Sequence, residues 1–250
     1  MTARGRPKPA HLGPSYAAQF CDAAVVDAYR RRPPYPPATF DVLRRLLLPG
    51  EAGVLDVGCG RGNLTLGLAA WGRPVDAVDP SAAMIEAARR RTGDEYPSVR
   101  WILSTLEESG IVGPYALAVA GQSLHWTEWS VTLPLLKAVL EPGARLAFVG
   151  HTFADAPWEA ALLELIPRYS TNQEYAPYDL VEELEQRGLF RLEERVDVDG
   201  GTYDQSLDDY VESFHSANGF SRDRMEPEAA RAFDDAVRAM VRAHGGGERV

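Results

Sequence analysis

A run of glycines between two apolar stretches holds the clearest chemistry in this sequence. In Val54-Leu55-Asp56-Val57-Gly58-Cys59-Gly60-Arg61-Gly62-Asn63, glycines stand at 58, 60 and 62. Glycine lets a backbone turn tightly and approach a ligand without a side chain in the way. The run follows an expected strand and opens an expected helix, the setting of a nucleotide-binding loop. The dinucleotide fingerprint G-x-G-x-x-G needs a glycine at 63, where the chain has Asn63. The spacing here is G-x-G-x-G, preceded by Asp56. A carboxylate at that point repels a pyrophosphate but orients an ammonium group, directly or through water. The next apolar stretch ends in Asp79-Pro80-Ser81. A carboxylate at a strand end can accept both hydroxyls of a ribose. Nicotinamide enzymes use the same arrangement, so Asp79 alone does not discriminate, and it can also serve as a helix cap.

These residues need elements to position them. Short apolar strands are expected at Val54–Val57, Val75–Val78, Val99–Leu103, Tyr115–Ala120 and Arg145–Val149. Helical stretches lie between them at Asn63–Ala70, Ala82–Arg91 and Val131–Leu140. Ser81 fits an N-cap for the second helix, and Pro134 delays or kinks the third. The alternation predicts an α/β fold, a Rossmann-like doubly wound sheet, mostly parallel, with helices on both faces. Ligands bind such sheets beyond the carboxyl ends of the strands, where strand order reverses. Upstream, Phe40, Leu43, Leu46 and Leu47 share one helical face, and the prolines between Arg32 and Pro37 forbid helix before it. Downstream, helices are expected at Trp158–Ile166 and Asp179–Arg187, and a strand at Phe190–Val198. A capped helix starts at Ser206, and a last helix is stopped by Gly245-Gly246-Gly247. The organisation reads as an N-terminal arm and lid over residues 1–37, a sheet core over 38–151, and a C-terminal helical lid region over 152–250 completing the same domain.

Composition narrows the partners. The 250 residues are 45% hydrophobic and 25% charged, ordinary values for a globular chain that buries a core. Acidic residues outnumber basic ones, 36 to 26, for a net charge of −10. Nucleic acid is therefore not expected as a partner, since phosphate binding needs a basic stripe. Cys21 and Cys59 make neither a disulfide framework nor a metal cluster, and no metal is expected. A reducing, cytoplasmic setting is the simple reading. Residues 1–14 carry no apolar run of the signal-peptide kind, and no stretch of about 18 apolar residues reads as a membrane span.

With Asp79, the run Val54–Leu66 resembles the class I S-adenosylmethionine-dependent methyltransferases. The small-molecule branch (methyltransferase type 11), which includes the ubiquinone-biosynthesis and trans-aconitate types, looks closest. Trp101–Glu107 resembles the family's adenine loop after strand three, and Ala120–Trp126 its segment after strand four. Val139–Gly143 resembles the turn before strand five, and Arg32–Pro36 the N-terminal element. The resemblance covers residues 16–151 clearly and the rest loosely. Thr105 stands where members often carry an acidic residue, Tyr115-Ala116 where many have Phe-Asp, and Ala144 where many have glycine. Only Glu248-Arg249-Val250 follows the last helical stretch, so the family's reversed seventh strand is expected to be missing, truncated or supplied from elsewhere.

The resemblance implies S-adenosylmethionine as cofactor and methyl transfer to a small molecule, on oxygen, nitrogen or carbon, as in secondary metabolism. It implies that Asp56 and the backbone of Gly58, Gly60 and Gly62 face the methionine part, and that Asp79 holds the ribose. Pro80 and Met84 would pack near the adenine, with Thr105 and Leu106 at its polar edge. Gln122 would lie under the sulfonium, and Tyr29 and Arg32 would close over the cofactor carboxylate. Core packing competes as a reading of Met84, and a solvated surface charge as a reading of Arg32.

In-line displacement at a sulfonium methyl needs alignment above all. A base is needed only where the acceptor is protonated, as a phenol or an amine is. His125, after strand four, and His151, after strand five, stand at strand ends on the expected ligand side. Either can take a proton, and His125 can instead fix the loop beside Trp126. His11, His215 and His244 look peripheral. Tyr16, Phe20, Tyr35 and Trp126 could line an acceptor pocket, with Trp129, Trp158, Tyr210 and Phe214, or several could fill the core. Other readings are a cofactor-binding fold with cyclase-like chemistry or a binding role, a nicotinamide oxidoreductase, disfavoured by Asp56 and Asn63, and a methyltransferase for protein or RNA. Acceptor identity and oligomeric state are not written in the sequence.

Overall fold

Five apolar segments pair into one sheet: β1 (Gly53–Val57), β2 (Val75–Asp79), β3 (Val99–Leu103), β4 (Tyr115–Gly121) and β5 (Leu140–Val149). Their order is β3-β2-β1-β4-β5, with every neighbouring pair parallel. The computed structural model describes residues 7–151 and 156–250. Its helices are α1 (Pro14–Ala17), α2 (Ala23–Ala28), α3 (Pro37–Leu46), α4 (Thr65–Ala69), α5 (Ala82–Thr92), α6 (Trp129–Val139), α7 (Glu159–Tyr169), α8 (Leu180–Gln186), α9 (Leu207–Phe214) and α10 (Pro227–Ala243). The chain divides into two units. One contains Pro34–Gly150, Pro177–Gly201 and the segment ending at Lys8; the other contains Pro9–Pro33, His151–Ala176 and Thr202–Val250.

In the first unit, β1 and β4 are buried along nearly their whole length, the signature of parallel strands covered on both faces. Leu43 of α3, with Leu64 and Leu68 beside the glycine loop, packs on Val54, Val75 and Leu117. Strand order reverses between β1 and β4, which makes the carboxyl ends of these strands the switch point. β5 begins five residues before the expected start because Leu140 pairs with Tyr115. The register then jumps to Leu117 opposite Arg145. The residues between bulge out around Pro142, which has no N–H, and Gly143 at φ +89°. α6 begins earlier than expected because the Glu128 carboxylate caps it, accepting from the Ser130 N–H at 3.3 Å. Pro134 lies inside that helix.

The expected strand at Phe190–Val198 does not form. The segment is tied down through side chains: Phe190 stacks on Phe148 of β5 at 4.7 Å, and Glu193 pairs with Arg145 at 2.8 Å. The Leu192 N–H donates to the Glu185 carboxylate at 2.8 Å and so is not available for a ladder. Leu192 and Val196 remain 37% and 41% exposed. Alternation marked an extended chain with one apolar side, but a ladder also needs free backbone donors facing an edge.

The second unit is helical. Phe233 of α10 is the centre of its core, ringed by Tyr169, Phe214, His215 and Phe220. His215, which looked peripheral, is 0% exposed. Its ring nitrogens lie 2.7 Å from Asp234 Oδ1 and 2.7 Å from the Phe220 carbonyl oxygen. His11 is buried as well. Ser206 caps α9 as expected, accepting from the Asp209 N–H at 3.0 Å. The last residues pair antiparallel with the start of α9, through an isolated bridge between Ser206 and Arg249. Among the described residues the sheet has five strands and no reversed member.

The Ser81 hydroxyl accepts from the Met84 N–H at 3.3 Å and caps α5 immediately after the β2 carboxylate. Ser81→Ala is expected to lower stability by about 1 kcal/mol. Urea unfolding would show a lower midpoint with an unchanged slope.

Candidate functional site

The parallel register sets Asp56 opposite Ala77 and Val57 opposite Val78, so the ends of β1 and β2 finish side by side. The Cys59 N–H donates to the Val78 carbonyl at 3.0 Å, which ties the glycine loop across to β2. The loop then turns back on itself, with Gly58, Gly60 and Gly62 at φ +65°, +53° and +78°. Other residues pay about 1–2 kcal/mol for that left-handed backbone. Two of the three glycines are also sterically obliged. A Cβ at Gly58 would overlap the Ser123 Cβ, and one at Gly62 would stand 2.8 Å from the Trp101 ring. At Gly60 nothing lies within 4 Å of that position, leaving open space above the loop.

Asp79 closes β2 and organises this loop. Its Oδ2 accepts from the Gly60 N–H at 2.8 Å and its Oδ1 from the Ser81 N–H at 2.8 Å. It is 8% exposed. Burial raises its pKa, against the pull of the two N–H groups. Asp56 is 1% exposed, and among the described residues its partner is the Thr65 hydroxyl, which donates to Oδ2 at 2.6 Å. Burial first, and then the nearby charge of Asp79, push the Asp56 carboxyl up to about 7. The Cys59 thiol is pushed well up by burial and by both aspartates, so it stays protonated and unreactive.

At the end of β4 the Ser123 hydroxyl donates to the Val57 carbonyl, fixing that turn to the glycine loop. Gln122 holds φ +52°, an uncommon backbone for a non-glycine residue, and its N–H donates to Val149 of β5 at 2.9 Å. The first unit thus brings together Asp56, Gly58, Gly60, Gly62, Asp79, Pro80, Met84 and Gln122. Met84 and Leu106 are buried; Pro80 and Thr105 are exposed. Tyr35 packs against the core around Leu64 and Val54, and the His125 ring sits 4.7 Å from that of Trp126.

Trp129 is buried in the first unit as well, and the remaining expected residues fall in the second. Arg32 and Tyr29 come together there: the guanidinium donates to the Tyr29 hydroxyl at 3.0 Å and lies 4.0 Å from its ring centroid. Arg32 also donates to the Ser216 hydroxyl and carbonyl, each at 2.7 Å. Burial, and then the Arg32 charge, lower the pKa of His151. Trp158 lies in the hydrophobic core of this unit, with Tyr210 and Phe214 partly buried against it and the Trp158 Nε1–H donating to the Tyr210 hydroxyl at 2.9 Å. The Tyr16 hydroxyl donates to Glu174 at 2.9 Å, and Phe20 is half-buried. Sequence reasoning missed Thr65 and Ser123, and it did not assign Trp101 to Gly62. Each acts through a partner distant in sequence, which no local pattern marks.

A glycine loop after β1, an acidic residue closing β2 and the strand order β3-β2-β1-β4-β5 together define a Rossmann-like methyltransferase fold. Residues 54–143 match the methyltransferase domain family. An uncharacterized methyltransferase of Mycobacterium tuberculosis is 37% identical over 149 residues, 58% of each chain. A trans-aconitate 2-methyltransferase of Azoarcus is 35% identical over 113 residues, 44% of this chain and 43% of the relative. The chain thus spans about half the length of the curated relatives it matches. A solved structure from Anaeromyxobacter dehalogenans, assigned to the type II methyltransferases, is 25% identical. It covers 87% of this chain and 92% of its own, with a TM-score of 0.58. Residues 54–143 thus carry a methyltransferase domain, in a chain similar to methyltransferases over little more than half of its length.

Gly58→Ala is expected to destabilise the protein by about 2–3 kcal/mol, from left-handed backbone and overlap with Ser123 together. Adding Ser123→Gly removes the overlap and should recover part of that loss. A double-mutant cycle from urea unfolding measures the coupling.

Proposed function

We propose that this chain transfers a methyl group from S-adenosylmethionine to a small-molecule acceptor. The observation that carries the reading is the Asp79 carboxylate, held by the N–H groups of Gly60 and Ser81 beside open space over Gly60. Each carboxylate oxygen keeps a lone pair beyond its backbone partner, which suits the two hydroxyls of a ribose. Asp56, buried with one hydroxyl partner, suits the ammonium of the methionine part. The cofactor fits the residues present on both counts.

When bound, S-adenosylmethionine would supply a methyl carbon activated by its sulfonium, with Asp56 and Asp79 holding its two ends. The chain's own residues bind and align. The glycine-loop backbone allows close approach, Asp56 and Asp79 fix the two ends of the donor, and Met84 and Leu106 give a buried apolar flank. Gln122 stands at the turn after β4, and Thr105 offers its hydroxyl or backbone. Arg32, oriented by Tyr29, is a cation suited to a carboxylate. His125 and His151 are the candidate bases, and the lowered pKa of His151 favours the neutral ring that accepts a proton. A small acceptor agrees with the net charge of −10, which disfavours nucleic acid. We place the activity in the cytoplasm; among the described residues no helix is long and apolar enough to cross a membrane.

Calorimetric titration with S-adenosylhomocysteine tests the reading. Micromolar binding is expected, weakened at least about tenfold in a folded Asp79→Ala variant, the loss of charge-assisted hydrogen bonds. Absence of binding to the folded wild-type chain would sink it. The same titration carries a pH signature. With the Asp56 carboxyl near 7, the carboxylate that pairs with an ammonium is the minor form at pH 6 and the major form at pH 8. Affinity should rise roughly tenfold over that interval and stay flat in Asp56→Asn.

A further inference from the structure

Beside the glycine loop, within the first unit, a cavity of about 180 Å³ opens at the carboxyl ends of β4 and β5. Ala120, Leu124, Phe148, Val149 and Leu180 give it apolar walls. Its polar side chains are Gln122, Ser123 and His125, and among the described residues no lysine or arginine lines it. Ser123 is shared between cavity and loop, because its hydroxyl donates to the Val57 carbonyl, one residue from Asp56. Gln122, in the cavity wall, holds the left-handed backbone that tends to cluster at ligand sites.

We infer that this cavity receives the methyl acceptor, and that the acceptor group it takes is uncharged and apolar, about the size of one aromatic ring or a short acyl chain. The inference rests on the methyltransferase reading and deepens it. Size follows from volume: an apolar cavity of roughly 150 Å³ holds benzene. Charge follows from the lining. A carboxylate moved out of water without a cationic partner is strongly disfavoured. Here, among the described residues, no lysine or arginine stands in the lining. A tricarboxylate such as trans-aconitate, named for one relative, therefore has no counter-charge in this lining.

The test uses the full chain with methyl groups of Leu124, Val149 and Leu180 observed by NMR, and two probes, phenol and tricarballylate. S-adenosylhomocysteine affinity is measured separately by calorimetry. Phenol should shift these methyls saturably with a Kd of about 1 mM, while tricarballylate leaves them unmoved. Leu180→Trp, which fills the cavity from the first turn of α8, should weaken phenol at least about tenfold and leave S-adenosylhomocysteine affinity within about twofold. Tricarballylate moving these methyls more strongly than phenol would overturn the acceptor class. So would phenol leaving them unmoved while S-adenosylhomocysteine binds. In both cases the methyltransferase reading stands. Loss of S-adenosylhomocysteine binding in a folded wild-type chain overturns that reading, and the acceptor assignment with it, whatever phenol does.

Discussion

Two carboxylates buried near the ends of adjacent parallel strands, two residues apart in register, set the terms for the rest of this structure. An ionised carboxylate taken out of water loses several kcal/mol of hydration unless the protein replaces it. Asp79 has that replacement in two backbone N–H groups. One belongs to the glycine loop and the other to the turn into α5, so loop shape and the charge of Asp79 are one interaction. Among the described residues Asp56 has one hydroxyl donor, and the neighbouring charge opposes its own. Its carboxyl therefore sits near 7. In the proposed function this asymmetry has a use: one carboxylate is stabilised by the fold itself, and the other would be stabilised by the ammonium of the donor.

The loop that faces these carboxylates is clamped from both sides. Ser123, beyond β4, occupies the space a side chain at Gly58 would need, and Trp101 of β3 occupies that at Gly62. Strand order therefore acts on the site directly. Because β4 and β2 flank β1, elements on either side of the switch point reach the same five-residue turn. Cys59 adds a third tie through the Val78 carbonyl. Open space remains over Gly60, the loop's middle glycine.

How much of this could be read beforehand follows from the range of each interaction. The five strands and the caps at Ser81 and Ser206 rest on neighbours within a few residues, and the expected positions hold to within a few residues for all but the start of β5. Asp56, Asp79 and the glycines were readable because they form a local pattern. Thr65 and Ser123 were not, since a hydroxyl that secures a carboxylate nine residues away, or a carbonyl 66 residues away, leaves no periodic trace. The segment after α8 failed for a related reason. Its alternation is real, but whether its donors meet a strand edge or a carboxylate is a tertiary fact. Trp158, Tyr210 and Phe214 were ambiguous by chemistry, because an aromatic that could line a pocket is equally suited to a core; here Trp158 belongs to a core, and Tyr210 and Phe214, partly buried, pack against it.

The two halves of the proposed reaction place opposite demands on one strand edge. The donor side is built from carboxylates and backbone donors, the cavity side mainly from apolar side chains. An uncharged acceptor that attacks a cationic methyl takes on positive charge, and a phenol, an amine or a carbon nucleophile must then release a proton. A carboxylate acceptor needs no such step. An apolar cavity raises the cost of leaving that charge in place, so a group able to take the proton becomes part of the same argument. His125 lines the cavity and stands against Trp126. The apolar acceptor and a proton-accepting role for His125 are thus linked by charge balance: an acceptor that arrives ionised would make both unnecessary.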